Sequence, residues 1–192
     1  TGICPTHEDV IANFQADCST SYYDNGDYTD NNSHGTHVAS TACGATYRIT
    51  KNFKICSVKC MRDNGIGTWS FITAGVDYAA GLCKTNGWQC VINMSLGGGG
   101  LQTALKRAVH NAYSKGIPVV VAAGNNNEDA CGYSPTQFDK AITVASIAPS
   151  DTRSDFSNYG TCTDVYAPGS SIRAAGVGSD TEYVDKSGTS MA

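Results

Sequence analysis

Apolar residues in the middle of the chain recur at two spacings, which together predict alternating strands and helices. Residues 101–113 carry apolar side chains at steps of three and four, the spacing of one helix face. Residues 117–123 are continuously apolar, which is typical of a strand buried on both faces of a parallel sheet. The predicted strands are 53–61, 91–96, 117–123 and 141–147, and the predicted helices are 71–82 and 101–113.

This alternation predicts an α/β domain with a mainly parallel central sheet flanked by helices, spanning residues 1–192. In such sheets, ligands bind beyond the carboxyl ends of the strands. Three segments that follow predicted strands are rich in glycine or asparagine, namely 64–67, 97–100 and 124–127. We therefore expect these segments to be loops that build one cleft.

The composition excludes several classes of protein. Hydrophobic residues make up 41% of the 192 residues and charged residues 16%, which is typical of a globular chain and not of a disordered one. The formal net charge is -4, so the basic surface of a nucleic-acid-binding protein is missing. No run of about 18 apolar residues occurs, so no membrane-spanning helix is predicted. We expect a monomer without nucleic-acid or membrane partners.

The chain contains nine cysteines, a number that favours either disulfides or a metal site. A metal site needs paired Cys-x-x-Cys spacings, which are absent; Cys56 and Cys60 are four apart but no second such pair accompanies them. We therefore favour disulfides and an extracellular setting. Because the count is odd, one thiol is free or its partner lies outside this segment.

His34 is a candidate general base. It precedes small residues and a run compatible with a helix, which would place it at a helix N-terminus on the edge of the cleft. Its ordinary pKa of about 6.5 suits proton transfer near neutral pH. Two alternatives remain open at this point: a loop histidine without a role, or a zinc site with His37, although a following Glu and a third ligand are missing.

Ser190 and Asn125 are further candidates that carry little weight on their own. Ser190 is flanked by small residues at a predicted helix start, where the helix dipole favours developing negative charge. Asn125 follows Gly124 at the end of the apolar strand, where a carboxamide N–H could donate to an oxyanion. Each could equally be an ordinary turn residue.

The three segments together resemble the signature motifs of the subtilisin family. These motifs are His34-Gly35-Thr36-His37, Ala122-Ala123-Gly124-Asn125 and Gly188-Thr189-Ser190-Met191-Ala192, in the chain order of that family. Segments 63–67, 95–99, 133–135, 156–160 and 167–169 resemble its proteinase K branch. The resemblance extends from the first residue to the last.

The resemblance implies a serine endopeptidase that needs no cofactor for catalysis. Ser190 would be the nucleophile and His34 the general base, with Asn125 in the oxyanion hole. Peptide substrates would bind as an added strand, which implies broad specificity. The implied substrate-binding residues are Gly65, Ile66, Gly67, Ser95, Leu96, Gly97, Ala123 and Gly124. Secretion and a propeptide that binds its own enzyme are implied as well.

The resemblance also predicts where the third member of the triad lies. The family's aspartate immediately precedes a Thr-Gly-Ile string, and this chain opens at Thr1-Gly2-Ile3. We therefore expect the carboxylate one residue upstream, and a catalytic domain that continues beyond both ends. The alternative is a catalytically inactive homologue that only binds peptides. A nucleotide site at 97–100 is disfavoured because the third glycine of the dinucleotide motif is missing.

The resemblance implies one disulfide and one metal site, and the cysteine spacing favours a second disulfide. Cys131 and Cys162 stand where relatives carry a disulfide, and Cys83 and Cys90 flank a short turn that a local bridge could close; the pairing of the other five cysteines stays undetermined. A structural Ca²⁺ would be held by the carboxylate of Asp164 and the main-chain carbonyls of Asp139 and Ala141, since oxygen ligands suit that ion.

Overall fold

The computed structural model describes residues 1–47, 49–50 and 53–192. The helices are α1 (His34–Cys43), α2 (Trp69–Asn86) and α3 (Thr103–Ser114). The strands are β1 (Thr20–Ser21), β2 (Val58–Lys59), β3 (Ile92–Met94), β4 (Gly98–Gly99), β5 (Val119–Ala122), β6 (Tyr133–Ser134), β7 (Ala141–Ile147), β8 (Val165–Pro168), β9 (Ile172–Ala175) and β10 (Tyr183–Lys186). Short 3-10 turns lie at Ala16–Cys18, Asp24–Gly26 and Ala130–Gly132.

The chain divides into two compact units. The first unit comprises Thr1–Gly75 and Arg173–Asp185, and the second comprises Val76–Ile172 and Lys186–Ala192. The apolar core of the first unit includes Ile3, Val10, Ala39, Ile55 and Ala175, with Phe14 and Cys43 packed against it.

The second unit is built on a parallel sheet with the strand order β3-β5-β7-β8. Its inner strand β5 is the continuous apolar run of the sequence, and Val119 and Val121 have 0% and 1% of their surface exposed. Helix α3 packs against β5 and buries a stripe that includes Leu105 and Val109. The predicted α/β class with a parallel sheet and flanking helices is therefore confirmed.

The end of α3 shows how the sequence sets an element boundary. Gly116 adopts a φ of 76°, a conformation that glycine enters without a steric penalty. Its N–H donates to the carbonyl of Tyr113, and the N–H of Ile117 donates to that of Ala112. The chain then turns directly into β5 after Pro118, which cannot continue a helix.

Two predicted segments differ in the structure. Within 53–61 only β2 forms a strand, paired in parallel with the equally short β1, although the predicted alternation survives in the burial of Ile55, Ser57 and Lys59. Segment 97–100 contains a strand, β4, which pairs antiparallel with β6. A run of glycines has no side-chain pattern, so its backbone pairing leaves no trace in the hydrophobic periodicity.

Among the described residues, disulfides join Cys18 to Cys56, Cys83 to Cys90 and Cys131 to Cys162. The second and third confirm the expected pairs, and the first resolves a pair that the sequence left open. Three cysteines of the described residues form no disulfide with another described cysteine, namely Cys4, Cys43 and Cys60. Burial raises the pKa of Cys60 to about 11, so this thiol stays protonated near neutral pH. No helix in the described part of the chain is long and apolar enough to cross a membrane.

The two disulfides with unequal loops give a matched test of stability. Cys18 and Cys56 are 38 residues apart, whereas Cys83 and Cys90 are 7 apart. Replacing both cysteines of the long loop by alanine should lower the free energy of unfolding by about 3–4 kcal/mol, against about 2 kcal/mol for the short loop, because the longer loop restricts the unfolded chain more. Denaturant unfolding of the two double variants measures the difference, and an equal loss in both would contradict the loop-entropy explanation.

Candidate active site

A cleft of about 290 Å³ opens in the second unit, beyond the carboxyl ends of β3 and β5. Parallel α/β sheets place their ligand sites at this edge. Its lining residues are Leu96, Gly97, Gly98, Ala122, Ala123, Gly124, Asn125, Asn126, Tyr133, Thr136, Thr189 and Ser190. Most of the site residues that the sequence predicts in this unit thus lie around one cleft.

Thr189 fixes the orientation of the Asn125 carboxamide. Its backbone N–H and its hydroxyl both donate to Asn125 Oδ1, at 2.8 and 3.0 Å. The same hydroxyl accepts a hydrogen bond from the N–H of Gly124 at 3.0 Å. Because the carboxamide oxygen is taken up inside the protein, the NH₂ group is the part of Asn125 that can serve a ligand in the cleft. The sequence motif contains Thr189 but gave no sign of this role.

Ser190 lies on a turn that is tied to the end of β3. The Met191 N–H donates to the carbonyl of Gly188, and Ser95 Oγ donates to the carbonyl of Ser190 at 3.0 Å. The Ser190 hydroxyl itself lies 3.4 Å from the Ser95 carbonyl, well beyond the usual 2.7–2.8 Å for such a bond. The backbone around Ser190 is therefore held more firmly than its hydroxyl.

Tyr133 marks one rim of the cleft. The Tyr133 hydroxyl donates to Glu128 Oε2 at 2.5 Å, and this bond raises the pKa of the phenol. The Cys131–Cys162 disulfide lies two residues before Tyr133 and anchors this rim to a second loop. The rim is therefore cross-linked covalently as well as by hydrogen bonds.

His34 lies in the first unit and is the first residue of α1. The first residues of the chain pack against the same turn, since the Gly35 N–H donates to Thr1 Oγ1 at 2.9 Å. A Cβ on Gly35 would lie 2.1 Å from the carbonyl oxygen of Gly2, so only glycine permits this approach. The segment that opens the chain and the start of α1 are consequently neighbours.

Asp30 anchors the start of α1, a role that the sequence analysis missed. Its carboxylate is 3% exposed and accepts hydrogen bonds from the N–H groups of Asn32, Ser33 and Thr36 and from the Thr36 hydroxyl. Burial alone would raise the pKa of Asp30, but these hydrogen bonds outweigh it and leave the pKa below its ordinary value. An anion at this position also suits the positive end of the helix dipole.

Asp63 connects two segments by hydrogen bonds. One is the loop that contains the substrate-binding candidates of residues 65–67, and the other is the segment before His34. The carboxylate of Asp63 accepts from Lys59 Nζ at 2.8 Å and from Asn31 Nδ2 at 3.0 Å, and its carbonyl accepts from Asn32 Nδ2 at 2.6 Å. Lys59 is only 1% exposed, and its amine also donates to the carbonyl of Thr29. A buried ammonium therefore organises this loop.

The loop itself is a tight hairpin. The Arg62 N–H donates to the carbonyl of Ile66, the Gly65 N–H donates back to Arg62, and Met61 forms an antiparallel bridge with Gly67. Gly65 has a φ of 78°, which explains a glycine at this turn. Ile66 is 62% exposed, so its side chain is available for contact with a ligand.

The zinc alternative for His34 and His37 gains no support. His37 is fully buried, and its Nε2 lies 3.2 Å from the carbonyl of Val184. Within the described ranges, no group of three or more His, Cys, Asp or Glu side chains is arranged to hold a metal.

The residues predicted to hold Ca²⁺ show a partial fit. The Asp164 N–H donates to the carbonyl of Thr143, and Asp164 Oδ2 accepts from the Thr143 N–H. The side chain of Asp139 is engaged elsewhere: a hydrogen bond from Lys106 is the main cause that lowers its pKa to about 2. The carboxylate of Asp164 is the kind of oxygen ligand that a hard cation takes.

Comparison with known proteins identifies the family to which the chain belongs. The profile of the subtilase family matches residues 1–192. The chain belongs to the subtilase family. It is 48% identical over 167 residues to the extracellular serine proteinase of Thermus sp. (strain Rt41A), covering 87% of this chain and 40% of that protein. It is 44% identical over 195 residues to the alkaline proteinase of Hapsidospora chrysogena, covering 100% of this chain and 47% of that protein.

A solved structure agrees with this assignment. The fold matches that of a cold adapted subtilisin-like serine proteinase with a TM-score of 0.88 and 42% identity, over 100% of this chain and 68% of the other. Cerevisin of Saccharomyces cerevisiae is 46% identical over 88% of this subtilase, which covers 27% of cerevisin. The chain therefore spans less than half the length of these curated relatives.

The ion pair of Lys59 predicts a pH-dependent contribution to the stability of this subtilase. The Asp63→Asn variant leaves a buried ammonium without its anion and should lower the free energy of unfolding by about 1–2 kcal/mol, discounted because the Asp63 side chain is 43% exposed. The hydrogen bond from Lys59 lowers the pKa of Asp63, so the contribution is present above the ordinary value of 3.8 and is lost as the pH falls through the lowered pKa.

Urea unfolding at pH 7 and pH 3 measures this effect. The stability difference between wild type and variant should narrow at the lower pH. The exposed Asp155, changed to Asn, is the matched control and should have little effect at either pH. An Asp63→Asn variant as stable as wild type at pH 7 would show that the pair contributes nothing.

Proposed function

We propose that the protein is a serine endopeptidase that hydrolyses peptide bonds through an acyl-enzyme. Ser190 is the nucleophile, His34 the general base, and Asn125 the side-chain donor of the oxyanion hole. The observation that best supports this proposal is the fixed carboxamide of Asn125, whose NH₂ group is left for the same cleft that Ser190 lines. The family and its protease relatives provide the reaction class.

In the proposed reaction, His34 accepts a proton in one step and donates it in the next. Ser190 Oγ attacks the carbonyl carbon of the scissile bond while His34 accepts its proton, and the imidazolium then gives that proton to the leaving amine. Asn125 Nδ2 and the Ser190 backbone N–H stabilise the negative oxygen of the tetrahedral intermediate. Water, activated by His34, hydrolyses the acyl-enzyme and restores Ser190.

We place the triad's acid at the position immediately before Thr1. The packing of Thr1 and Gly2 against Gly35 supports this position, because Gly35 directly follows His34 in the first turn of α1. A carboxylate there would hold the imidazole in one tautomer and stabilise its charged form.

The substrate would bind in an extended form by main-chain hydrogen bonds. The proposed substrate-binding residues are Ser95, Leu96, Gly97, Ala123 and Gly124 of the second unit and Gly65, Ile66 and Gly67 of the first unit. Contacts of this kind recognise backbone more than sequence, which favours broad specificity.

The protein is expected to work outside the cell, with its own propeptide as a partner before activation. Its disulfides suit an oxidising compartment, and one relative is named an extracellular serine proteinase. The main-chain carbonyls of Asp139 and Ala141 and the carboxylate of Asp164 would hold a structural Ca²⁺, which would stabilise the fold and take no part in the reaction.

Covalent labelling of the full-length protein tests the proposed nucleophile. A peptidyl diphenyl phosphonate should attach to Ser190 and abolish hydrolysis of a peptide substrate, because it mimics the tetrahedral intermediate. The Ser190→Ala variant should neither hydrolyse the substrate nor be labelled. Peptide binding by a wild type that shows neither labelling nor hydrolysis would favour the inactive, peptide-binding homologue instead.

The role of Thr189 gives a second prediction. Thr189→Val keeps the shape of the side chain but removes the hydroxyl that donates to Asn125 and accepts from Gly124. We expect kcat to fall about tenfold with little change in KM, the cost of about one hydrogen bond. Thr189→Ser keeps the hydroxyl and should stay near wild type in steady-state kinetics. An equal loss in both variants would mean that the hydroxyl is not what matters.

A further inference from the structure

Asn158 is a buried asparagine whose side chain forms three hydrogen bonds with the loop that carries Asn125. It has 0% of its surface exposed. Its Nδ2 donates to the carbonyl of Ala123 at 3.0 Å, and its Oδ1 accepts from the N–H groups of Asn126 and Glu128 at 2.9 and 3.1 Å. These hydrogen bonds hold the main chain on both sides of Asn125.

The backbone of Asn158 adds another contact to the same loop. Its N–H donates to the carbonyl of Gly124 at 2.9 Å. Gly124 has a φ of 103°, and a Cβ at this position would lie 2.4 Å from Asn158 Nδ2. The loop can therefore lie this close to the asparagine only because residue 124 is glycine.

Different residues thus hold the side chain of Asn125 and the main chain around it. Thr189 binds its carboxamide oxygen, whereas Asn158 binds the main chain before and after it. A buried amide with three hydrogen bonds to one short loop specifies that loop's conformation closely, because an alternative conformation would leave these polar groups unpaired.

We propose that Asn158 is a positioning residue for the reaction, which sets the backbone of residues 123–128 so that Asn125 meets the oxyanion. The proposal rests on the function proposed above. It predicts that loss of Asn158 weakens the oxyanion contact and leaves the proton transfer between Ser190 and His34 intact. An error of about 1 Å in such a contact can lower turnover by about 10²-fold.

A double-mutant cycle in the full-length enzyme tests this proposal. Asn158→Ala and Asn158→Ser are each combined with Asn125→Ala, and kcat and KM are measured on a peptide substrate. Asn158→Ser removes the amide without burying a charge and keeps one polar group, so it provides a milder variant if the alanine form is unstable.

We expect kcat to fall about 10- to 100-fold in either single variant, with KM changed less than about threefold. In the Asn125→Ala background, the same substitutions should change kcat by less than about threefold, because the group they position is already absent. Val109→Ala, a buried substitution in α3, is the control for lost stability and should leave kcat unchanged at temperatures where it is folded.

Three results would overturn the proposal: wild-type kcat in a folded Asn158 variant, equal losses in both backgrounds, or a loss confined to KM. A full-length wild type without hydrolytic activity would overturn the proposed function and this inference together. An active wild type whose Asn158 and Asn125 effects are independent would overturn the inference alone.

Discussion

The carboxamide of Asn125 has two chemically different ends, and two donors from Thr189 decide which end is available. An amide turned the other way would present an acceptor to the cleft and would repel a negatively charged oxygen. The constraint links the end of β5 to the turn at 188–191, although 64 residues separate the partners in sequence. The chemistry proposed for the cleft depends on this orientation, since a donor in place before reaction needs no reorganisation as charge develops.

The first unit uses the same physical device around His34. Short polar side chains bind nearby main-chain groups and fix segments that have little regular structure of their own. Asp30 collects N–H groups at the start of α1, and Asp63 joins the preceding asparagines to the hairpin of Gly65. Both carboxylates have lowered pKa values, so both are anionic near neutral pH and stabilise these contacts over the ordinary working range.

Local patterns in the sequence predicted the elements whose signals are local. Helix α3 and strands β5 and β7 follow from periodicity, and the end of α3 follows from Gly116. The motif residues Asn125 and Ser190 were found by resemblance, and the structure places them around one cleft. The sequence could not predict contacts between residues that are far apart along the chain. Examples are the disulfide of Cys18 with Cys56, the hydrogen bond of Lys59 with Thr29, and that of Asn158 with Asn126, 32 residues away. The sequence does not distinguish a polar loop residue that binds distant main-chain groups from one that faces solvent. Only the fold shows which groups it binds.

A crystal structure of the full-length protein with a peptide boronic acid bound to Ser190 would test the central claim most directly. The account predicts that Asn125 Nδ2 lies within about 3 Å of a boronate oxygen while Oδ1 remains hydrogen-bonded to Thr189. If the boronate formed on Ser190 but its oxygen lay beyond hydrogen-bonding distance of Asn125, or if Oδ1 faced the cleft, the claim would be contradicted.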